Sequence, residues 1–537
     1  MSIPLDCVVV GYNDISFSKM LGRTEVYKEV SGGYRHLLVN SAPFRGKRIR
    51  YADLLNVAIE AATGKPSRLH VARLPNLGVC YLVSFLRRRS YWTEFINFYN
   101  EETARFCDLL KDRPRSVAIT TTFYFEPEPI KEIVSFVRQY SPETKVIVGG
   151  PHIFNICSDN APSVQDILLR DMGADIYIFD SQGEATLAKL CGLLREENPN
   201  LSTIPNLIYT ADRKTFQRSV RQPEANSMDI EAVDWNLFEP DFLAPTVQMR
   251  TARSCAFKCA FCRYPVMAGA LDLTSLEVVE RELKHLHSVG VKQLMFIDDT
   301  FNVPLKRFKE LCRMMILNKF GFDWFSYFRC SNADAEAFDL LAEAGCKGVF
   351  LGIESGDDRV LRAMNKAATV DKYAQGIGQL NRRGIITYAS FIIGHPGETE
   401  DTVKNTLAFI NDTGPMFYCL ESFFYDPKVP IASRALDFGL SGRGYAWRHN
   451  TMDWERASEL VEEGYRTISN SIILPLYGFD LWSIAYLLGQ GMSLDQIRRF
   501  LGGASKLLPY PANDERTSAL EQELIDVFHT ADQGLAN

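Results

Sequence analysis

The sequence predicts an α/β protein: a doubly wound, Rossmann-like N-terminal domain, then a partial (β/α)6 barrel, then a mostly helical C-terminal region. Three observations point there. From residue 116 onward short apolar runs alternate with helical stretches, the pattern of parallel sheets. A polar stretch from Thr210 to Pro245, carrying Pro223, Pro240 and Pro245, splits that alternation in two. Beyond Tyr425 the strand-like runs give way to helical ones. A chain of 537 residues is also too long for one core. The expected domains are 1–225, a linker 226–245, the barrel 246–424, and the helical region 425–537.

In the first domain, Met1 to Val10 reads as a strand, and its apolar run Asp6 to Gly11 ends in a Gly-Tyr-Asn-Asp turn. Tyr12 to Arg50 has no clear order. Tyr91 to Lys111 reads as an aromatic-rich helix. Ser116–Thr121, Lys145–Val148 and Ala174–Phe179 read as strands, and Pro129–Tyr140 and Ala185–Glu196 as helices. In the barrel, strands are expected at Thr246–Arg250, Gln293–Ile297, Trp324–Arg329, Gly348–Ile353, Ile386–Ile393 and Phe417–Phe424. Helices fall between them, the first at Ser275–Ser288. Six units are fewer than the eight of a closed barrel, so the sheet is expected to be open on one side. Further on, Trp454–Ser471 and Leu481–Leu488 read as helices.

Composition narrows the function. A formal net charge of −7 argues against a nucleic-acid partner, and the run Arg87-Arg88-Arg89 reads as a solvated helix face. No run of 18 apolar residues occurs, so no membrane span is expected. The N-terminus lacks the basic region and cleavage site of a signal peptide, which implies the cytoplasm and reduced thiols. Twelve cysteines are too sparse for a disulfide scaffold. Nine of them share no ligand spacing and read as core residues.

The other three are Cys255, Cys259 and Cys262, in Arg-Ser-Cys-Ala-Phe-Lys-Cys-Ala-Phe-Cys after the first barrel strand. Thiolates at C-x3-C-x2-C spacing can converge on three irons of a [4Fe–4S] cubane and leave the fourth iron without a protein ligand. S-adenosylmethionine (SAM) can fill that vacancy through its amino and carboxylate groups. A structural zinc site needs four ligands, and no second Cys or His pair lies at suitable spacing. The loop also falls at the C-terminal face, where barrel active sites are built. Phe261, beside the last cysteine, is placed to pack on adenine.

These residues resemble the radical SAM enzymes with an N-terminal cobalamin-binding domain, over residues from about 110 to 425. Further motifs carry the likeness: Phe296-Ile-Asp298-Asp299-Thr-Phe301, Leu351-Gly-Ile-Glu354-Ser-Gly356, Met364-Asn365-Lys366, and Phe391-Ile-Ile-Gly394-His-Pro396-Gly-Glu-Thr399. The resemblance implies that Asp298 or Asp299 meets the methionine amino group of SAM, and Glu354 its amino group or ribose. Arg329, ending the third strand, suits the SAM carboxylate. Gly394 and Pro396 would let backbone approach the adenine.

In the N-terminal sheet, three strand-end loops offer hydroxyls and close backbone approach: Thr120-Thr121-Thr122, Gly149-Gly150-Pro151-His152 and Ser181-Gln182-Gly183-Glu184. In the resembled family the ligand there is the nucleotide tail of cobalamin. The Asp-x-His-x-x-Gly pattern of many cobalamin domains is absent, so the resemblance implies cobalamin without a histidine below the cobalt. A degenerate domain that binds no cobalamin stays open.

Segments Phe424-Tyr-Asp426-Pro427-Lys-Val-Pro430-Ile431 and Tyr445-Ala-Trp447-Arg448-His449-Asn450-Thr-Met452 are similar to the phosphinothricin-type P-methyltransferases. The implied activity is methyl transfer from methylcobalamin to an unactivated carbon or a phosphinate phosphorus of a natural-product-type small molecule or peptide. One SAM methylates the cobalamin, and another supplies the hydrogen-abstracting radical. A flavodoxin- or ferredoxin-type donor would deliver the electron. The alternative is a radical SAM enzyme that rearranges or oxidises its substrate. Trp447 to Asn450 suit an anionic substrate, or are an ordinary ordered loop.

Overall fold

The computed structural model describes residues 5–476, 479–508, 510, 514 and 516–529. The first four residues of the expected leading strand and residues 530–537 of the expected helical region lie outside the described residues. The chain divides into two compact units. One comprises residues up to 15, 72–243 and 274–289, and the other 16–71, 244–273 and 290 onward.

The first unit is built on a sheet of seven strands: β1 (Cys7–Tyr12), β2 (Thr93–Phe98), β3 (Ser116–Thr120), β4 (Lys145–Gly149), β5 (Ile176–Ile178), β6 (Leu207–Tyr209) and β7 (Gln217–Arg218). Their spatial order is β2-β1-β3-β4-β5-β6-β7. The first five are parallel, β6 is antiparallel to β5, and β7 is antiparallel to β6. The 2-1-3-4-5 order is that of flavodoxin-like sheets, which bind ligands at the carboxyl ends beside the β1/β3 switch point. The core strands are buried on both faces, as helix-covered parallel sheets must be: Val8, Val10, Val117, Ile119, Val146 and Val148 pack with Ile130, Ile133 and Val137 of helix Glu128–Tyr140.

Several expectations are corrected here. Tyr91–Lys111 is strand β2 followed by helix Tyr99–Lys111, because alternating Thr93, Phe95 and Asn97 supply an edge strand before the helical period begins. The arginine run is no solvated face. Arg87 donates to Leu237 O, Arg88 to Ile230 O, and Arg89 pairs with Glu231 at 2.6 Å. The expected linker is thereby strapped to this unit as far as Leu243. Helix Leu276–Ser288, expected in the barrel, also groups here, where Asp229 accepts from Ser275 N at 2.7 Å.

The second unit carries a wholly parallel sheet in chain order: β8 (Thr246–Met249), β9 (Gln293–Phe296), β10 (Asp323–Tyr327), β11 (Cys346–Glu354), β12 (Ile386–Ile393), β13 (Phe417–Ser422) and β14 (Ile472–Ile473). Six strands were expected, and the short β14 is a seventh. β8 and β14 form its two edges, so the barrel is open. Phe391 meets Phe409 of helix Glu400–Thr413 on the helix-covered face. The alternate residues point to the inner face, where Tyr327, Phe350 and Tyr388 stack edge to face at 5.0 and 4.9 Å across β10, β11 and β12. Helix Leu481–Gly489 adds Trp482, which meets Tyr327 at 5.1 Å.

Residues 16–71, expected in the first domain, belong to this second unit. They form helices Phe17–Glu25, Gly33–Val39 and Tyr51–Thr63 and a hairpin, Ser41–Phe44 with Lys47–Arg50. Tyr51–Thr63 packs on Thr517–His529. The region from 425 onward is likewise part of this unit, since its buried face completes that core.

In the first unit, Asp6 accepts from Trp92 N at 2.8 Å and from Arg195 through Nε at 2.8 Å and Nη2 at 2.7 Å. Burial pushes its carboxyl up, but Arg195, the Trp92 N–H and Arg115 outweigh that and hold it below the ordinary value. A depressed carboxylate contributes stability above its unfolded pKa and loses it as pH falls through the folded one. Asp6→Asn should therefore lower the melting temperature at pH 7, for a loss of roughly 1–3 kcal/mol. The gap between variant and wild type should close below about pH 4, which paired thermal melts check.

Candidate active site

The cysteine loop leaves β8 at Met249 and has little regular structure, so its backbone must be held from outside. Asp298, just past β9, does this first. Its Oδ1 accepts from Thr251 N at 2.6 Å and Ala252 N at 2.9 Å, and its Oδ2 from Thr251 Oγ1 at 2.5 Å. Met364 O accepts from Ala260 N at 2.8 Å, and Asn365 donates to Lys258 O at 2.7 Å. Ala260 O in turn accepts from Ile431 N at 2.8 Å, and Arg263 reaches Asp426 at 3.1 Å. The Met-Asn-Lys motif and the Asp426–Ile431 segment thus serve as clamps on the loop.

Ser254 sits at φ 73°, and its hydroxyl donates to Gly269 O at 2.6 Å. Cys259 is buried, while Cys255 and Cys262 are half-buried, with Cys255 Sγ 3.4 Å from Thr300 Oγ1. Burial pushes the Cys262 thiol up to about 11, and Cys259 and Cys255 push the same way. The three are therefore close enough to interact. They are not gathered as ligands of a single ion, and among the described residues no three His, Cys, Asp or Glu side chains are. A cubane asks each thiolate to reach a different iron.

Around this loop lies a buried charge cluster. Arg329 follows β10, and its backbone is gripped by Asn302, which accepts from Arg329 N at 2.9 Å and donates to Arg329 O at 3.0 Å. Its guanidinium lies 3.6 Å over the ring of Phe257, inside the cysteine loop. Its Nη2 is buried and has no hydrogen-bond partner. Glu354, ending β11, holds φ 72° where the pairing with β12 shifts register. Its Oε1 accepts from Lys366 Nζ at 2.9 Å. A Cβ on Gly352 would meet Glu354 Oε1 at 2.7 Å and Lys366 Nζ at 3.5 Å, so the pair lies over the inner face. Burial pulls Lys366 down, but Glu354, then Tyr373 and Cys259, outweigh it and keep the ammonium charged.

The sequence-predicted residues divide. Arg329, Glu354 and the three cysteines lie together. Asp299 is at the exposed rim, its carboxyl pushed up to about 6 by surrounding atoms against the opposing pull of Arg250. Asp298 is committed to Thr251 and Ala252 and has no oxygen left over. Phe261 faces His395 edge on at 6.5 Å, with Lys366 Nζ 5.5 Å from its ring. Gly394, at φ 95°, is glycine because a Cβ there would strike Trp447 at 2.5 Å. The next turn, through Pro396, is closed by Glu398 accepting from Gly394 N at 2.6 Å. Trp447 is buried and donates to Phe423 O, and His449 stacks on it. That pair braces the β12 loop. Phe257, Asn302 and Lys366 were missed as site residues, although the Met-Asn-Lys run marked the last.

In the first unit the strand-end loops also differ from one another. Thr121 Oγ1 donates to Gly149 O at 2.8 Å and accepts from His152 N at 3.2 Å. Gly150, at φ 105°, leaves no room for a Cβ, which would lie 2.9 Å from Thr121 Oγ1. Thr120 and Thr122 hydroxyls are 3.2 Å apart. In the third loop Gln182 accepts from Asn226 N, and the N–H groups after Glu184 go to Glu224 at 2.9 and 2.7 Å. Glu224 therefore covers that helix N-terminus. Buried side-chain atoms without a partner recur at the strand ends: Asn13 Oδ1 after β1, His152 Nε2 and Asn155 Oδ1 after β4, and Asp180 Oδ2 after β5. Pro151 and Ser181 and Gly183 only shape these turns.

Residues 249–410 match the family model of the Radical SAM superfamily. They form a radical SAM domain. The residues fit its SAM-bound [4Fe–4S] cluster on two counts: three loop thiols of the right type, and a guanidinium on that loop whose Nη2 is buried without a partner and suits a carboxylate. "Uncharacterized methyltransferase PH0819" of Pyrococcus horikoshii is 25% identical over 347 residues, covering 62% of this chain and 72% of that one. The chain spans 72%, 62% and 55% of the length of three curated relatives. The radical S-adenosylmethionine methyltransferase TsrM of Kitasatospora setae, solved with cobalamin and a [4Fe–4S] cluster, matches with TM-score 0.59 at 18% identity, over 86% of this chain and 97% of that one. The cobalamin-dependent S-adenosylmethionine radical enzyme OxsB, solved with aqua-cobalamin, matches with TM-score 0.58 at 14% identity, over 99% of this chain and 77% of that one. At these identities the two likenesses are of fold. Among the described residues no helix is long and apolar enough to cross a membrane.

Asp298→Ala should strip three buried donors of their acceptor, each at about 1–3 kcal/mol. After anaerobic reconstitution the variant should hold less than half the iron of the wild type, by colorimetric iron assay.

Proposed function

We propose that this protein is a radical SAM methyltransferase that uses cobalamin and acts on a small molecule or peptide, at an unactivated carbon or a phosphinate phosphorus. The observation that carries the radical SAM half is the Arg329 guanidinium, stacked on the cysteine loop with Nη2 buried and unpartnered. The methyltransferase half is supported by the name of the Pyrococcus relative and the printed descriptions of TsrM and OxsB.

Cys255, Cys259 and Cys262 would hold three irons of a [4Fe–4S] cluster, which when bound would supply the electron for SAM cleavage, drawn from a flavodoxin- or ferredoxin-type donor. Arg329 pairs with the SAM carboxylate, a charge-assisted contact that Phe257 keeps in plane from below. Asp299, at the rim, takes the methionine amino group in place of Asp298. Glu354, paired with Lys366, faces the amino group or ribose. The aromatic ladder Tyr327–Phe350–Tyr388 lines the inner face and excludes water.

Cobalamin, when bound, supplies the methyl carrier. The residues that suit its nucleotide tail are at the ends of β1, β3, β4 and β5, where Asn13, Asn155 and Asp180 keep unpartnered oxygens and Gly150 permits close approach. His152 is a poor cobalt ligand, because its Nε2 is enclosed by protein atoms.

Reduced protein given SAM with a CD3 methyl group and candidate substrates should yield both 5′-deoxyadenosine and a CD3-labelled product by mass spectrometry. Replacing all three cysteines by alanine should abolish both, and Arg329→Ala should weaken SAM binding about 10–100-fold, from the loss of a charged hydrogen bond of roughly 1.5–3 kcal/mol. 5′-Deoxyadenosine with an unlabelled product would overturn the methyl-transfer reading. In the EPR spectrum of bound cob(II)alamin, no nitrogen splitting from a histidine is expected, and His152→Gln should leave the spectrum unchanged.

A further inference from the structure

A second polar site lies in the barrel mouth of the second unit, and the SAM-binding residues do not use it. Register places it. Ile392 on β12 pairs with Glu421 on β13, and Tyr388 pairs with Phe417, so Glu421 shares the inner face with the aromatic ladder. It sits near the C-terminal end of β13, where barrel chemistry is built. Cys419, two residues before it on the same face, feels both Glu421 and Glu354, so the two acids flank one mouth.

Glu421 is met by a residue far away in the chain. His36, on helix Gly33–Val39, brings Nδ1 to 3.4 Å from Glu421 Oε2. The helix is docked by Gly32 N donating to Tyr445 O at 2.9 Å. Tyr445 then stacks on the His36 ring at 4.8 Å, and Phe424 meets Tyr445 edge on at 5.1 Å. Phe424 is 55% exposed. Glu421 and His36 keep 13% and 14% of their side-chain surface, so the pair lines the mouth and is not sealed in the core. Glu421 Oε1 has no hydrogen-bond partner.

A carboxyl oxygen left without a donor in a sheltered site is unfavourable unless a ligand supplies one. The walls say which kind. Tyr445 feels the charge of Glu421, and Phe424 stands edge-on to Tyr445; an acidic group with aromatic rings this near is the combination that receives an ammonium ion. Burial pushes Glu421 up to about 8 and His36 down to about 4. The dyad is thus neutral at neutral pH, and an entering cation drives the Glu421 proton off to solvent.

We infer that Glu421, His36, Tyr445 and Phe424 form the substrate-recognition site of the barrel mouth, and that the substrate presents a protonated amine to Glu421. This rests on the reading of the mouth as the place where a substrate meets the SAM-derived radical.

The test uses the full-length, anaerobically reconstituted protein and two matched probes, benzylamine and benzyl alcohol, with binding followed by saturation-transfer NMR. Benzylammonium should bind at least tenfold more tightly than the alcohol. Glu421→Gln should abolish that preference, with near-UV circular dichroism confirming that the variant is folded. His36→Asn is the second variant and should reduce the preference. Equal binding of the two probes by the wild type, or an undiminished amine preference in folded Glu421→Gln, overturns the inference. Release of 5′-deoxyadenosine by the same wild-type sample is measured in parallel. Its absence defeats the radical reading alone, because the probe preference is read without turnover.

Discussion

The second unit's chemistry depends on one buried carboxylate. Asp298 takes three donors from Thr251 and Ala252, the second and third residues after β8, and so fixes where the cysteine loop begins. Between its paired ends, Ala252–Arg253 with Asp272–Leu273, the cysteine loop has little ladder of its own. Its backbone groups are met from β9, from the Met364–Lys366 turn and from the segment before Ile431. Such outside anchoring positions a loop nearly as firmly as a strand would. The same anchors explain why Lys366 and Phe257 end up beside the cluster residues: the clamp and the site share a turn.

Charge in this mouth is arranged rather than neutralised. Lys366 and Glu354 satisfy one another, which leaves Arg329 as the one positive group of the trio without a carboxylate. Phe257 supports the guanidinium from one face and Asn302 fixes its backbone, so the group is oriented before any ligand arrives. Orientation in advance is what lets a buried charge contribute to binding, since the ordering is done during folding. The left-handed backbone at Glu354 belongs to the same device. The register shift beside it turns the carboxylate over Gly352 and onto the inner face.

In the first unit the flavodoxin-like order brings the ends of β1 and β3 side by side, and polar atoms collect there because nothing regular follows them. The three loops looked alike in sequence. The structure separates them by what already occupies each one. Glu224 and Asn226 occupy the helix end of the third loop and leave Asp180 Oδ2 unpartnered there, while the second loop keeps Asn155 Oδ1 and His152 Nε2.

The sequence by itself singled out the three cysteines as candidate cluster ligands, since C-x3-C-x2-C is a local pattern whose chemistry needs no partner elsewhere. It also determined most strands of both sheets, because period and turn residues are local too. Arg329 and Glu354 were legible as strand-end residues of an α/β barrel. The tertiary structure decided the roles that depend on distant neighbours. Asp298 could be read as a SAM ligand until Thr251, 47 residues away, claimed its oxygens. Gly394 could be read as adenine-facing until Trp447 filled the space beside it and His449, 55 residues on, took its carbonyl. His36, in a stretch that had no readable order, reached Glu421 only through the docking of its helix on Tyr445. Spacing along the chain fixes which groups can be neighbours within a turn. Which groups meet across the fold is set by packing and hydrogen bonding.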